Sequence, residues 1–178
     1  GTEVTVVEYQ PNIVPVEDEE ISKQLERSFK KAGIIIKTST EVTNVDTSGS
    51  GVKATIRSKD KEEVIESDIV LSAVSIKSNI ENIGLEAVGI STEKDKIVVD
   101  AFYQTSVPGY YAIGDVTKGQ ALAHVASAEG ILCVEKIAQL HVEPLDYGNI
   151  PGCTYCSPEI ASVGLTEKQA IEQGYEIK

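Results

Sequence analysis

The sequence predicts an α/β fold interrupted by an antiparallel insertion, and three observations carry that expectation. First, the β-branched run Val4–Val7 leads through a proline-bearing loop and an amphipathic helix into a second apolar run at Ile34–Ile36, a strand–helix–strand unit. Second, residues 42–65 alternate in polarity over short stretches separated by turn chemistry, as an antiparallel meander does. Third, Ile69, Val70, Leu71, Ala73 and Val74 form a nearly continuous apolar run, the signature of a parallel strand covered on both faces.

Each element has a local cause. Val4, Val6 and Val7 around Thr5 favour an extended chain that ends at Glu8, and Pro11 and Pro15 mark the loop that follows. Glu17 to Ala32 is expected to be helical. Asp18, Glu19 and Glu20 fall in its first turn, where the helix dipole favours anions, and Ile21, Leu25, Phe29 and Ala32 recur at helical spacing as a buried stripe. Gly33 ends that helix. The meander strands are expected at 42–45, 52–56 and 63–65, joined by Ser48-Gly49-Ser50-Gly51 and Lys59-Asp60-Lys61. Beyond Asn79 come loops, with short strands at 96–99 and 110–113 and a long helix from about Ala121 to Ala138. Pro144 and Pro151 flank a linker. The tail restarts with strands near Thr154 and at 161–163, a helix from Thr166 to Gln173 and the opening of another strand. The first and last strands lack sequence-adjacent partners, so the chain is expected to be a segment cut at both ends.

Composition excludes whole classes of function. The chain of 178 residues carries 28 acidic and 16 basic residues, a net charge of −12 that opposes binding to phosphate backbones and anionic lipid. No run reaches the length of a membrane-crossing helix, and the start lacks the basic flank of a signal peptide. Three cysteines without such a signal are expected to be reduced thiols. Cys153-x-x-Cys156 lies in a strand-like stretch and not at a helix start, and nearby zinc ligands are missing, so structural thiols outweigh a redox or metal reading. His124 and His141 have no adjacent acid in the sequence to orient a general base.

The strongest chemical pattern is Tyr111-Ala112-Ile113-Gly114-Asp115. A carboxylate at a strand's carboxyl end can accept hydrogen bonds from sugar-like hydroxyls, and the free amides of the next helix can hold negative charge. Taken alone, the pattern describes an ordinary turn at least as well. Glu8 has the same ambiguity: an acid at a strand end is either solvent-exposed decoration or a ribose ligand.

The segment Thr105-Ser106-Val107-Pro108-Gly109, with Tyr111 to Asp115, resembles the second flavin-contact motif of the flavoprotein disulfide reductases. Ala121 to His124 with Glu129-Gly130, the opening Gly1 to Glu8, and the tail Tyr155 to Gly164 resemble the dihydrolipoamide dehydrogenases within that group. The resemblance is collinear over essentially the whole chain. It implies a Rossmann-like FAD/NAD(P)-binding fold with the inserted meander, followed by the start of an α+β dimerisation domain. Residues 1–79 would be the C-terminal part of an NAD-binding domain, 80–149 a return segment of an FAD-binding domain, and 150–178 the start of a dimer-interface domain. The implied activity is reoxidation of dihydrolipoamide through a redox disulfide and FAD, with NAD as final acceptor. The implied partners are lipoyl domains of a 2-oxo acid dehydrogenase complex and a second copy of the chain, with no nucleic acid and no membrane. The implied location is the cytoplasm or the mitochondrial matrix.

Residue by residue, the resemblance implies that Asp115 binds the flavin's ribityl hydroxyls and that the amides of Ala121, Leu122, Ala123 and His124 face its pyrimidine edge. Glu8 would bind the adenosine ribose of NAD and disfavour a 2′-phosphate, and Val42 would touch the adenine through its backbone. No catalytic residue is expected within the chain. The redox disulfide, both glycine-rich turns and the catalytic His–Glu pair would lie outside it.

Two departures stand out. Val125 replaces a frequent lysine that is expected to face away from the flavin contacts. Ala73-Val74-Ser75-Ile76-Lys77-Ser78-Asn79 stands where the family pattern is Ala-x-Gly-Arg-x-Pro-Asn, close to the nicotinamide. If the backbone at Ser75 required a positive φ, serine would cost on the order of 1 kcal/mol. The alternatives are another flavoprotein disulfide reductase, of the mercuric reductase or transhydrogenase type, and a non-catalytic nucleotide-binding fragment.

Overall fold

Thr5, Val6 and Val7 form β1, which pairs in parallel with β2 (Ile35–Lys37) across the helix α1 (Glu19–Lys31). The strand–helix–strand unit expected from the sequence is therefore present in the computed structural model, which describes residues 1–177. Asp18 is the N-cap of α1, Glu19 and Glu20 occupy its first turn, Lys30 and Lys31 its last, and Gly33 follows with a φ of 86°. The buried face of α1 differs from the expected stripe. Ser22 and Leu25 are buried and Phe29 is half-buried, whereas Ile21 is 41% exposed and Ala32 is exposed. Helical spacing sets the width of an apolar stripe, but the neighbouring strands select which edge of it is covered.

β3 (Glu41–Asp46), β4 (Val52–Ser58) and β5 (Lys61–Ser67) make the antiparallel meander in the order β3-β4-β5. The register slips between Val42 and Asn44, an irregularity beside which the Thr43 hydroxyl donates to the Thr55 carbonyl at 3.2 Å. Ala54 and Ile56 are the buried positions of β4, on the alternation that a one-faced sheet requires.

The run at 69–74 is a correction. Instead of a buried parallel strand it is chain outside every strand and helix of the described residues, with Ile69, Leu71 and Val74 exposed at 81%, 86% and 81%. A parallel strand takes its hydrogen bonds and its cover from elements distant in sequence, so a local apolar run cannot complete it.

The described chain divides into two compact units, Val74–Ile150 and a unit joining Gly1–Ala73 to the residues from Pro151 onward. Within the Val74–Ile150 unit, α2 (Leu85–Val88) and the hairpin β6 (Thr92–Glu93) with β7 (Lys96–Ile97) surround a small core of Ile80, Leu85, Ile90, Ile97 and Ala112. The strand expected at 110–113 is reduced to a single bridge between Gln104 and Tyr111. The long helix is α3 (Ala123–Ile137), two residues later in its start than expected.

In the other unit, β8 (Gly152–Thr154) pairs antiparallel with β9 (Ile160–Ser162), and α4 (Glu167–Glu172) follows. Thr166 and Gln169 close a reciprocal capping box on α4. The Asp18 carboxylate does not cap its own helix; it accepts the Glu167 N–H at 2.7 Å, and the Ser162 hydroxyl donates to Glu17 at 3.2 Å. Residues 175–177 form no strand, where the sequence suggested one opening.

Candidate functional site

The Gly114–Asp115 turn is built by contacts with α3. Ala112 donates its N–H to the Tyr103 carbonyl at 3.0 Å, Ile113 is extended, and Gly114 then reverses the chain with a φ of 71°. A Cβ at Gly114 would lie 3.1 Å from the Ala126 methyl, and one at Gly130 would lie 3.1 Å from Ile113 Cδ1. One glycine on each side of the joint, Gly114 against Ala126 and Gly130 against Ile113, therefore lets the turn lie close to the helix, and at Gly114 the left-handed backbone adds a second reason. Asp115 sits in the short 3-10 turn Gly114–Val116 with its side chain exposed.

A buried carboxyl organises this turn. Glu129, 1% exposed in the middle of α3, accepts the Gly114 N–H on Oε2 at 2.5 Å and the Tyr147 hydroxyl on Oε1 at 2.5 Å. The Tyr147 oxygen lies 3.2 Å from the Tyr103 hydroxyl; with the Tyr147 proton committed to Glu129, Tyr103 is the donor. Burial pushes both phenols up, and the bond to Glu129 raises Tyr147 further, so both remain neutral donors. The Gly114 carbonyl in turn accepts the Thr117 N–H at 2.9 Å and the Thr117 hydroxyl at 2.8 Å. Sequence reading missed Glu129, Tyr147, Tyr103 and Thr117 as parts of a site. The available signal was an acid inside an otherwise small and apolar helix, a placement that needs partners to be tolerated.

The start of α3 follows at once. Leu122 is its N-cap, no side chain caps it, and its first turn holds no acid. Of the four amides expected there, that of Leu122 donates to the Gln120 carbonyl at 2.9 Å, which takes it out of the set. Ala121, Ala123 and His124 are exposed and Leu122 is half-buried. Val125 is buried at 2%, a packing position in this chain.

Glu8 occupies the end of β1. Its N–H donates to the Lys37 carbonyl at 2.9 Å, its carbonyl accepts the Thr40 N–H at 3.0 Å, and its Oε1 accepts the Gln10 N–H at 2.6 Å. The half-buried carboxylate is thus oriented through one oxygen by its own loop. Val42 is 45% exposed in β3 beside the register irregularity. Ser75 is exposed and is not among the positive-φ residues, so the strain considered for serine does not arise; its hydroxyl lies 3.4 Å from the Ile76 carbonyl. Glu8 and Val42 belong to one compact unit; Ser75, Asp115 and Ala121 to His124 belong to the other.

The remaining candidates are structural. Cys133 is buried, Cys153 exposed and Cys156 half-buried, all as free thiols, and no metal-binding group of three or more ligating side chains occurs among the described residues. Cys156 lies past the end of β8, where its thiol donates to the Pro158 carbonyl at 3.0 Å. His141 does have an acid neighbour, Glu143 at 3.4 Å, which the sequence reading denied it; both side chains stand in solvent.

A parallel strand–helix–strand unit with an acid at its strand end and an antiparallel insertion, and in the other unit a Gly-Asp turn ahead of a helix, are features of a Rossmann-like fold. Residues 1–130 match the pyridine nucleotide-disulphide oxidoreductase family, and residues 150–178 match that family's dimerisation domain. The chain belongs to the pyridine nucleotide-disulphide oxidoreductase family. It is 48% identical over its whole length to the dihydrolipoyl dehydrogenase of Rhizobium etli, of which it covers 37%. It is 44% identical to the mitochondrial dihydrolipoyl dehydrogenase of Pisum sativum, covering 100% of this chain and 36% of the relative. Among solved structures, LpdA from Mycobacterium tuberculosis superposes with a TM-score of 0.88 at 29% identity, over 97% of this chain and 37% of that one. The chain thus spans little more than a third of the length of its relatives. No helix of the described residues is long and apolar enough to cross a membrane.

Proposed function

We propose that the chain is part of a dihydrolipoamide dehydrogenase, contributing contacts to FAD and NAD but no catalytic residue. The observation that carries this reading is the Gly114–Asp115 turn. It presents an exposed carboxylate directly ahead of a helix whose N-cap, Leu122, makes no side-chain cap bond and whose first turn carries no acidic residue. That pairing suits a flavin: hydroxyls of the ribityl chain for Asp115, and the electron-rich pyrimidine edge for the amides at the head of α3. When bound, the flavin supplies the two-electron chemistry between a dithiol and a nicotinamide. This chain's residues bind and orient it.

Glu8 is the ligand for the adenosine ribose hydroxyls of NAD. Its carboxylate, already oriented by Gln10, repels the extra phosphate of NADP. Val42 supplies a backbone contact to the same nucleotide, and Ser75 is proposed separately as a cofactor-binding position of its own unit. In this reading residues 1–79 belong to the NAD-binding domain, 80–149 to the FAD-binding domain and 150–178 to the dimer interface. The partners are a second copy of the chain and lipoyl domains of a 2-oxo acid dehydrogenase complex. The location is the cytoplasm or the mitochondrial matrix.

The test is made on the complete polypeptide that carries this segment. Purified, it is expected to be yellow and to reduce NAD with dihydrolipoamide; Asp115→Asn is expected to weaken FAD binding by roughly tenfold or more, the loss of a charged hydrogen-bond acceptor. Undiminished FAD affinity in that variant would remove Asp115 from the site.

A further inference from the structure

We infer that Ser78, acting with Lys96, is a positioning residue that locks the backbone of Asp115 so that its carboxylate is presented to a ligand. The inference rests on the proposed role of Asp115 in flavin binding. It begins with a buried polar side chain: Ser78 is 7% exposed.

The serine engages both its hydroxyl and its N–H. Its hydroxyl donates to the Asp115 carbonyl at 2.6 Å, and its N–H donates to Asp95 Oδ2 at 3.0 Å. Lys96 completes the cluster, donating to the Asp115 carbonyl at 2.6 Å and to the Ser78 hydroxyl oxygen at 2.8 Å. The Asp115 carbonyl, with two lone pairs, is thereby saturated. The Ser78 N–H holds the Asp95 carboxyl below the usual carboxylate range, which keeps a negative charge beside the lysine, 3.9 Å away.

The consequence for Asp115 is geometric. On one side Glu129 takes the Gly114 N–H; on the other Ser78 and Lys96 take the Asp115 carbonyl. The peptide frame around residue 115 is therefore fixed from three separate segments, while no hydrogen bond or ion pair among the described residues engages the carboxylate itself. A carboxylate on a locked backbone binds hydroxyls without first paying to be ordered. Ser78 and Lys96 achieve this without touching the ligand, and they also tie the segment around 74–80 to the turn that the ligand reads.

The experiment measures FAD affinity of the complete polypeptide by flavin absorbance titration of the apoprotein, with circular dichroism melts as a folding control. Ser78→Ala and Lys96→Met each remove one donor and are expected to weaken FAD binding roughly threefold to tenfold, the range of one net hydrogen bond. Ser78→Thr, which keeps the hydroxyl, is expected to retain native affinity. The decisive variant is Ser78→Ala combined with Asp115→Asn. If Ser78 acts through Asp115, the second change adds no further loss. An equal loss from Ser78→Ala with and without Asp115 would mark a general structural effect and overturn the inference. So would native FAD affinity in both Ser78→Ala and Lys96→Met while Asp115→Asn binds weakly. An Asp115→Asn variant with native affinity would instead overturn the reading of Asp115 on which the inference rests, and with it the inference.

Discussion

Two residues carry opposite lessons about carboxylates in this chain. Glu8 is half-buried at a strand end with one oxygen held by Gln10, whereas Glu129 is sealed in a helix with both oxygens engaged. The first is the proposed ligand for the NAD ribose. Replacing it, Glu8→Arg, in the complete enzyme is expected to reverse the preference from NAD towards NADP, by exchanging repulsion of a 2′-phosphate for attraction. An unchanged ratio of kcat/KM values for the two nucleotides would dismiss the assignment. Glu129 holds structure together, so Tyr147→Phe is expected to cost about 2 kcal/mol, the scale of a hydrogen bond to a charged group. Chemical denaturation of the complete protein measures it. The tyrosines also give a pH dependence. Their folded-state values lie above the ordinary 10.0, so the stability that they contribute is fully present below about pH 10 and is lost as the pH rises further. An alkaline decline in melting temperature that becomes shallower in Tyr147→Phe is the expected sign.

At the scale of elements, local chemistry decided what local chemistry can decide. The three meander strands, α1 and α4 appear where turn residues, dipole-matched charges and a capping signal put them. Thr166→Ala removes the hydroxyl half of the capping box and is expected to destabilise α4 by about 1 kcal/mol, read as faster amide exchange at Gln169 and Ala170. What the sequence could not show was which side of an element is covered. Ile21 looked as apolar as Leu25, but only the latter is buried. The expected strand at 110–113 is one bridge, Gln104 to Tyr111, flanked by hydrogen bonds from the Thr105 N–H to the Tyr110 carbonyl and from the Ala112 N–H to the Tyr103 carbonyl.

For the whole molecule, the exposed apolar run at 69–76 decides the behaviour of the isolated chain. Ile69, Leu71, Val74 and Ile76 all stand more than half exposed, a patch that soluble monomers rarely tolerate. Expressed alone, this chain is expected to self-associate on gel filtration and to show no flavin absorbance and no diaphorase activity. A monodisperse yellow preparation would contradict that outcome.

The sequence by itself determined the fold class, the meander, the limits of most helices and the family. Each of these is written in neighbouring residues or in a pattern collinear over the whole chain. It also marked Glu8 and Asp115 as the acids to watch, through the collinear family resemblance and not through their strand-end positions alone. Only the tertiary structure decided how the Asp115 turn is held. Gly114 meets Ala126, Glu129 reaches back 15 residues to its N–H, and Ser78 reaches forward 37 residues to the Asp115 carbonyl. No periodicity encodes such pairings. They depend on close packing across the fold, where a polar group's value is set by the partner that burial brings to it.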